Sequence, residues 1–99
     1  MFSNIVSIDE IRAASLAAGN HWFSPGSMRF FRTRLPRTGT RDTTGKIWFI
    51  SSEAMRGGPR RYSVRVFCPQ TGQVDTHGDF HSHKTADAAR RAMKRCIAQ

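Results

Sequence analysis

The sequence predicts an α+β domain: a three-stranded antiparallel meander, a C-terminal helix packed on one face of it, and one or two short helices ahead of it. Residues 61–68 and 73–81 alternate apolar with polar side chains, the period of a strand. Residues 46–51, Lys-Ile-Trp-Phe-Ile-Ser, are apolar on both faces, as in a covered central strand. Ala89, Ala92, Met93, Cys96 and Ile97 then fall at helical spacing near the end of the chain. Ninety-nine residues suit one domain, and no repeat or linker divides 1–99.

Each element follows from local chemistry. Ser7-Ile8-Asp9-Glu10 has the form of a capping box, and the alanines after it favour helix up to Gly19-Asn20. Ile8, Ile11, Ser15 and Ala18 make only a thin apolar stripe, so this helix reads as an edge element. Ser24-Pro25 is an N-cap and first-turn pair that opens a short helix over 25–31. Residues 35–45 are rich in Pro, Thr, Gly and Arg and read as an exposed loop. Gly57-Gly58-Pro59 and Pro69-Gln70-Thr71-Gly72 are turns that join the three strands. Tyr62, Val64 and Val66 face one way, and Arg61, Ser63 and Arg65 the other. Thr85 caps the last helix, with Asp87 in its first turn. The expected core is Trp48, Ile50, Tyr62, Val64, Val66, Val74, Phe80, Ala89, Ala92, Met93 and Cys96.

Sixteen Lys and Arg stand against seven Asp and Glu, a net charge of +9. Such a balance suits an anionic partner. The aromatic content, including two Trp and seven Phe, is too high for a disordered basic tail. Two cysteines, Cys68 and Cys96, read as free thiols of a reducing compartment and not as a disulfide framework. The N-terminus lacks the features of a signal peptide and no stretch is long and apolar enough to span a bilayer. The expectation is a soluble protein of the host-cell cytoplasm that does not engage membranes.

The cations fall into clusters. Arg29, Arg32, Arg34, Arg37 and Arg41 have no acid between them. Arg56, Arg60, Arg61 and Arg65 surround the start of the second strand, and Lys84, Arg90, Arg91, Lys94 and Arg95 line the last helix. Arg offers a planar fork that fits phosphate oxygens, so a nucleic-acid footprint is one reading. Internal pairing is the other: Arg29, Arg61 or Arg65 could be held by Glu53, Asp75 or Asp79 across the sheet. The candidate binding residues are Arg32, Arg34, Arg37, Arg41, Arg60, Arg61, Arg65, Lys84, Arg90, Arg91, Lys94 and Arg95.

His77, His81 and His83 with the two cysteines include zinc-type ligands, but no Cys-x-x-Cys is present and no spacing matches a finger. Neither metal nor cofactor is expected. No nucleophile elbow, paired carboxylates or phosphate-binding glycine loop stands out, so an enzyme is not expected. Phe67 falls on the Arg61/Arg65 face, either to stack on a base or to pack beneath the first segment. Trp22 is either core or a surface anchor.

Phe23-Ser24-Pro25 with Met28-Arg29-Phe30-Phe31, Phe49-Ile50-Ser51-Ser52-Glu53, Arg61-Tyr62-Ser63-Val64-Arg65 and Thr76-His77-Gly78-Asp79-Phe80 follow one another in order. This series resembles a family of small uncharacterised proteins of tailed phages and prophages, over roughly residues 22–95. Members of that family usually carry a small apolar residue, Glu and Gln where His77, Asp79 and His81 stand, which argues against a zinc site. The resemblance implies a phage origin and no established activity. It brings in context an inhibitor of host defence of the anti-CRISPR type. In outline the strands and last helix are also similar to phage-integrase arm-binding domains and to double-stranded RNA-binding domains.

The functional expectation is a non-enzymatic basic phage-type binding protein. Its partner is DNA or RNA, or an acidic host protein or nucleoprotein complex. The alternative is an inhibitor of host defence that binds an acidic protein surface. The oligomeric state is left open.

Overall fold

The computed structural model describes residues 4–20, 22–54, 58–78 and 82–97. Its elements run β1 (Ile5–Ser7), α1 (Ile8–Ala17), α2 (Pro25–Phe30), β2 (Thr38–Arg41), β3 (Ile47–Glu53), β4 (Arg61–Phe67), β5 (Val74–His77) and α3 (Ala86–Ile97). The architecture is α+β, with an antiparallel sheet and a C-terminal helix as expected. The sheet has five strands, not three, in the order β1-β2-β3-β4-β5.

The two additional strands are the ones whose sequence hides them. β1 has three residues, and β2 is Thr-Gly-Thr-Arg, with the composition of a loop. Neither carries the apolar alternation that marks a strand. Backbone pairing makes them: Ile5 opposes Thr40, Val6 opposes Gly39, and Thr40 opposes Trp48. The Arg41 N–H donates to Asn4 O at 2.7 Å, and the Ile8 N–H to Arg37 O at 2.9 Å. Gly39 is required by a close approach, since a Cβ there would lie 2.8 Å from Trp48 O and 3.3 Å from Ile11 Cδ1. The β2–β3 turn is held by Asp42. Its Oδ1 accepts from the backbone N–H of Thr44 at 2.8 Å and of Lys46 at 3.1 Å, and its Oδ2 accepts from Trp48 Nε1 at 2.8 Å.

Alternation along β3 and β4 divides the interior into two cores. On one face Trp48, Val64 and Ala89 are buried, with Ile50, Tyr62, Val66, Ala92, Met93 and Cys96 packed around them. This is the expected core beneath α3 except for Val74, which packs against the cluster on the other face; the first turn of α3 is capped by Thr85 Oγ1, which accepts from Ala88 N–H at 3.1 Å. Phe80, also assigned to that core, lies outside the described residues. On the other face Val6, Ile8, Ile11, Phe23, Ile47, Phe49 and Phe67 form a second cluster.

That second core corrects the reading of α1 as an edge element. Ile8, Ile11 and Ser15 are its buried face. The stripe is thin because one contact is polar: Ser15 Oγ donates to Gly72 O at 2.8 Å, tying the helix to the β4–β5 turn. Gly72 has φ +75°, and a Cβ on it would lie 2.4 Å from the Ala18 Cβ. At the start of α1, Ser7 Oγ accepts from Asp9 N–H at 3.2 Å, one residue earlier than a capping box implies. Phe67 is buried under this layer and does not present a stacking face.

Candidate functional site

The α3 face of the sheet is only half covered. α3 packs over β3 and β4, so among the described residues β1 and β2 have no helix above them there. A groove of about 380 Å³ runs beside the helix. Trp48, Ile50, Ser52 and Tyr62 form its floor, Ala86, Arg90 and Met93 one wall, and Arg34, Pro36, Thr38 and Thr40 the other. Ile5, at the outer edge of the same face opposite Thr40, is 64% exposed.

Backbone pairing sets the position of Arg34. Its N–H donates to Ser52 O at 2.9 Å and its O accepts from Ser52 N–H at 3.1 Å, an isolated bridge that extends the sheet past the end of β2. Arg60 holds this segment from the other side. Its Nη1 donates to Arg32 O at 3.1 Å and to Ser52 Oγ at 2.9 Å. Arg32, between them, has φ +49° and an exposed side chain. Arg60 is half-buried and acts as a latch, not as a free cation.

Helical periodicity sorts the cations of α3. Arg90 lines the groove, and Lys94 stands one turn further along the same flank. Arg91 and Arg95, likewise one turn apart, stand further round the helix on its solvent side, away from the groove wall. All four are exposed, as is Lys84 ahead of the helix. Arg90 Nη2 also donates to Asp87 Oδ1 within the helix, a solvent-exposed pair. Such pairs contribute little stability and yield readily to a competing anion.

The expected binding residues therefore separate. Arg34 and Arg90 share one groove, with Lys94 adjacent. Arg32, Arg37 and Arg41 are exposed along the segment that leads from α2 into and through β2. Arg61 is half-buried at the start of β4, opposite Glu53. Arg65 is a correction, because it lies inside the α1 face, 6% exposed. Its Nε donates to Ser51 Oγ at 2.9 Å, its Nη1 donates to Thr76 Oγ1, and its Nη2 is 3.6 Å from Glu53 Oε2. Burial pulls the Arg65 guanidinium below its usual pKa, and the charge of Glu53 opposes that shift. The internal pairing considered for Arg65 is thus present, and Arg65 cannot meet a phosphate backbone from this position.

Trp22 is neither pure core nor surface anchor. It is half-buried, edge-on to Phe23 and Phe49, and its ring centroid is 5.1 Å from Arg65 Cζ. His77 is exposed on β5 with its ring 5.4 Å from that of Trp48, and His83 is half-buried. His81 lies outside the described residues. No three His, Cys, Asp or Glu side chains come together among the described residues. Cys96 is half-buried on the sheet-facing side of α3. Cys68 lies just past β4, where hydrogen bonds from the Thr71 side chain and backbone, then from the Gln70 backbone, lower its thiol pKa. No helix among the described residues is long and apolar enough to cross a membrane.

Residues 7–94 match the model of a family described as Family of unknown function (DUF7447). The chain belongs to that family. The match takes in every described element from the end of β1 to most of α3, so both cores and the groove fall within the DUF7447 unit. No curated protein and no solved structure matches the chain.

Proposed function

We propose that this DUF7447 protein is a non-enzymatic binding module that engages nucleic acid, or a complex that carries it, through the groove beside α3. One observation carries this reading: Arg34 and Arg90, 56 positions apart in sequence, stand on opposite walls of one groove. Their guanidinium forks suit phosphate oxygens, and Lys94 adds a third cation on the same flank. The floor of Ile50 and Tyr62 offers apolar surface to sugars and bases. Phage origin is a further part of the proposal and rests on the order of the sequence motifs alone.

The test is fluorescence anisotropy with labelled duplex DNA, duplex RNA and single-stranded DNA, at salt from ~50 to ~200 mM. Log affinity is expected to fall linearly with log salt, by about 0.9 per phosphate neutralised on duplex DNA. No binding to any of the three at ~50 mM salt rejects the proposal.

A second reading, binding to an acidic protein surface as an inhibitor of a host complex would, takes its support from α2. Phe30 is 73% exposed, with Arg29 and Arg32 on either side of it in sequence. A hydrophobic anchor flanked by cations suits a protein partner. Co-purification from host lysate with and without nuclease separates the two readings. A partner lost on nuclease treatment supports the groove, and one retained supports the Phe30 surface.

A further inference from the structure

On the opposite face of the sheet, α2 borders a cavity of about 410 Å³, at the low end of small-molecule sites and large enough for one big side chain. Trp22, Met28 and Phe31 give it apolar walls, and all three are half-buried, so it opens to solvent. Its ionic lining is closed off. Glu53 is 1% exposed and Arg65 6%, and they are engaged with Ser51, Ser63, Thr76 and each other. A base or another polar ring would need free donors and acceptors there, whereas an apolar side chain needs only the walls.

The residues beside the cavity narrow what would carry that side chain. Phe30 is 73% exposed, and its ring stands edge-on to that of Phe31, with 4.8 Å between centroids. An aromatic side chain left this far in water next to an apolar cavity suits a protein-docking patch. Arg29 and Arg32 are exposed on the same segment, and residues 11–41 contain no Asp or Glu. The segment is therefore apolar and positive with no acid of its own, which complements an acidic partner. A second copy of the chain would bring a charge of +9 and be repelled. We propose that the cavity and Phe30 form one docking site for an acidic protein segment, whose large apolar side chain enters the cavity while carboxylates beside it meet Arg29 and Arg32. This rests on the reading of the Phe30 surface as a protein interface, and adds to it the pocket and the sequence class of the partner. The site does not involve the groove beside α3.

The test is selection of a display library of short random peptides on the full chain. Enriched sequences are expected to carry an aromatic residue or Leu flanked by Asp or Glu. The most enriched peptide, added to the uniformly ¹⁵N-labelled protein, is expected to shift the Trp22 indole signal saturably. Replacing its apolar residue with Ala is expected to weaken binding about tenfold or more. Met28→Trp, which fills the cavity, is expected to do the same, with folding checked by thermal melting. The Ala peptide tests the same contact on the unaltered chain. Arg29→Glu with Arg32→Glu is expected to abolish the enrichment of acids in a repeat selection. No enrichment, or enriched peptides without acids, overturns the proposal, and so does a peptide that leaves Trp22 unmoved. Loss of binding in Phe30→Ala but not in Met28→Trp overturns the cavity and keeps the Phe30 surface as a protein interface. Loss in neither variant overturns both. An oligonucleotide that moves the Trp22 signal and displaces the peptide overturns the proposal in favour of nucleic acid on this face.

Discussion

Arg65 and Arg90 belong to the same excess of positive charge, yet the two faces of the sheet use them in opposite ways. On the α1 face, Arg65 is buried against Glu53, Ser51 and Thr76, with Trp22 over its guanidinium. On the α3 face, Arg90 and Arg34 stand exposed on the rim of a groove. The first arrangement is part of the fold, and its charge is neutralised inside. The second keeps its charge available to a partner. A count of arginines overstates the binding surface, and the face on which each one sits decides its role.

The largest expected effect comes from breaking the buried pair. Arg65→Met leaves the Glu53 carboxylate in the interior without its countercharge and is expected to cost ~3–5 kcal/mol. That is a large part of the ~5–15 kcal/mol that holds a domain together. Adding Glu53→Leu removes both charges and is expected to recover most of the loss. Urea unfolding of the single and double variants measures this, and equal losses in the two would mean that the pair is not coupled.

Next is the docking of α1. Gly72→Ala forces a Cβ into contact with Ala18 at a positive φ. The expected cost is ~1–3 kcal/mol, read as a lower urea midpoint with an unchanged slope. A smaller effect is expected at the latch. Arg60→Ala removes two hydrogen bonds to the segment that carries Arg34, for ~1–2 kcal/mol. It is also expected to weaken groove binding, because the wall loses its support.

Asp42 adds a pH dependence on the groove side. Burial raises its pKa, but hydrogen bonds from the Thr44 side chain, Trp48 and the Thr44 and Lys46 backbones outweigh this and hold it below 3.8. A carboxyl with a lowered folded-state pKa stabilises the fold above its unfolded value and loses that contribution as pH falls through the folded one. The Trp48 indole N–H signal is therefore expected to titrate with its midpoint below the ordinary carboxylate pKa of Asp. In Asp42→Asn that acid transition is expected to vanish.

Much of this contrast can be read from the sequence, and the rest depends on contacts at long range. The alternation of β4 identified which side chains pack under α3, and Ser24-Pro25 and Thr85 marked the starts of α2 and α3. β1 and β2 were not legible, since Thr-Gly-Thr-Arg becomes a strand only when Asn4 and Trp48 supply its neighbours. α1 looked peripheral because Ser15 spends its side chain on a backbone carbonyl 57 residues away. For the site, charge clustering identified Arg34 and Arg90 but not their meeting, which needs the bridge between Arg34 and Ser52. Arg65 carried a signal of its own, since strand alternation puts it on the same face as Arg61, the partner of Glu53, and two long side chains bridge the distance along that face.

The smallest expected effect on stability is also the most informative for function. Arg34→Ala with Arg90→Ala, and Arg91→Ala with Arg95→Ala, each remove two exposed charges and are expected to change stability by less than ~0.5 kcal/mol per site. The decisive measurement is the salt slope of duplex binding for the two double variants side by side. Loss at the groove is expected to lower the slope by about 1 per contacting cation and to weaken binding, while loss on the solvent side of α3, outside the groove lining, leaves both near wild type. Equal weakening by the two pairs would contradict a groove-centred interface and leave only the general attraction of a +9 surface.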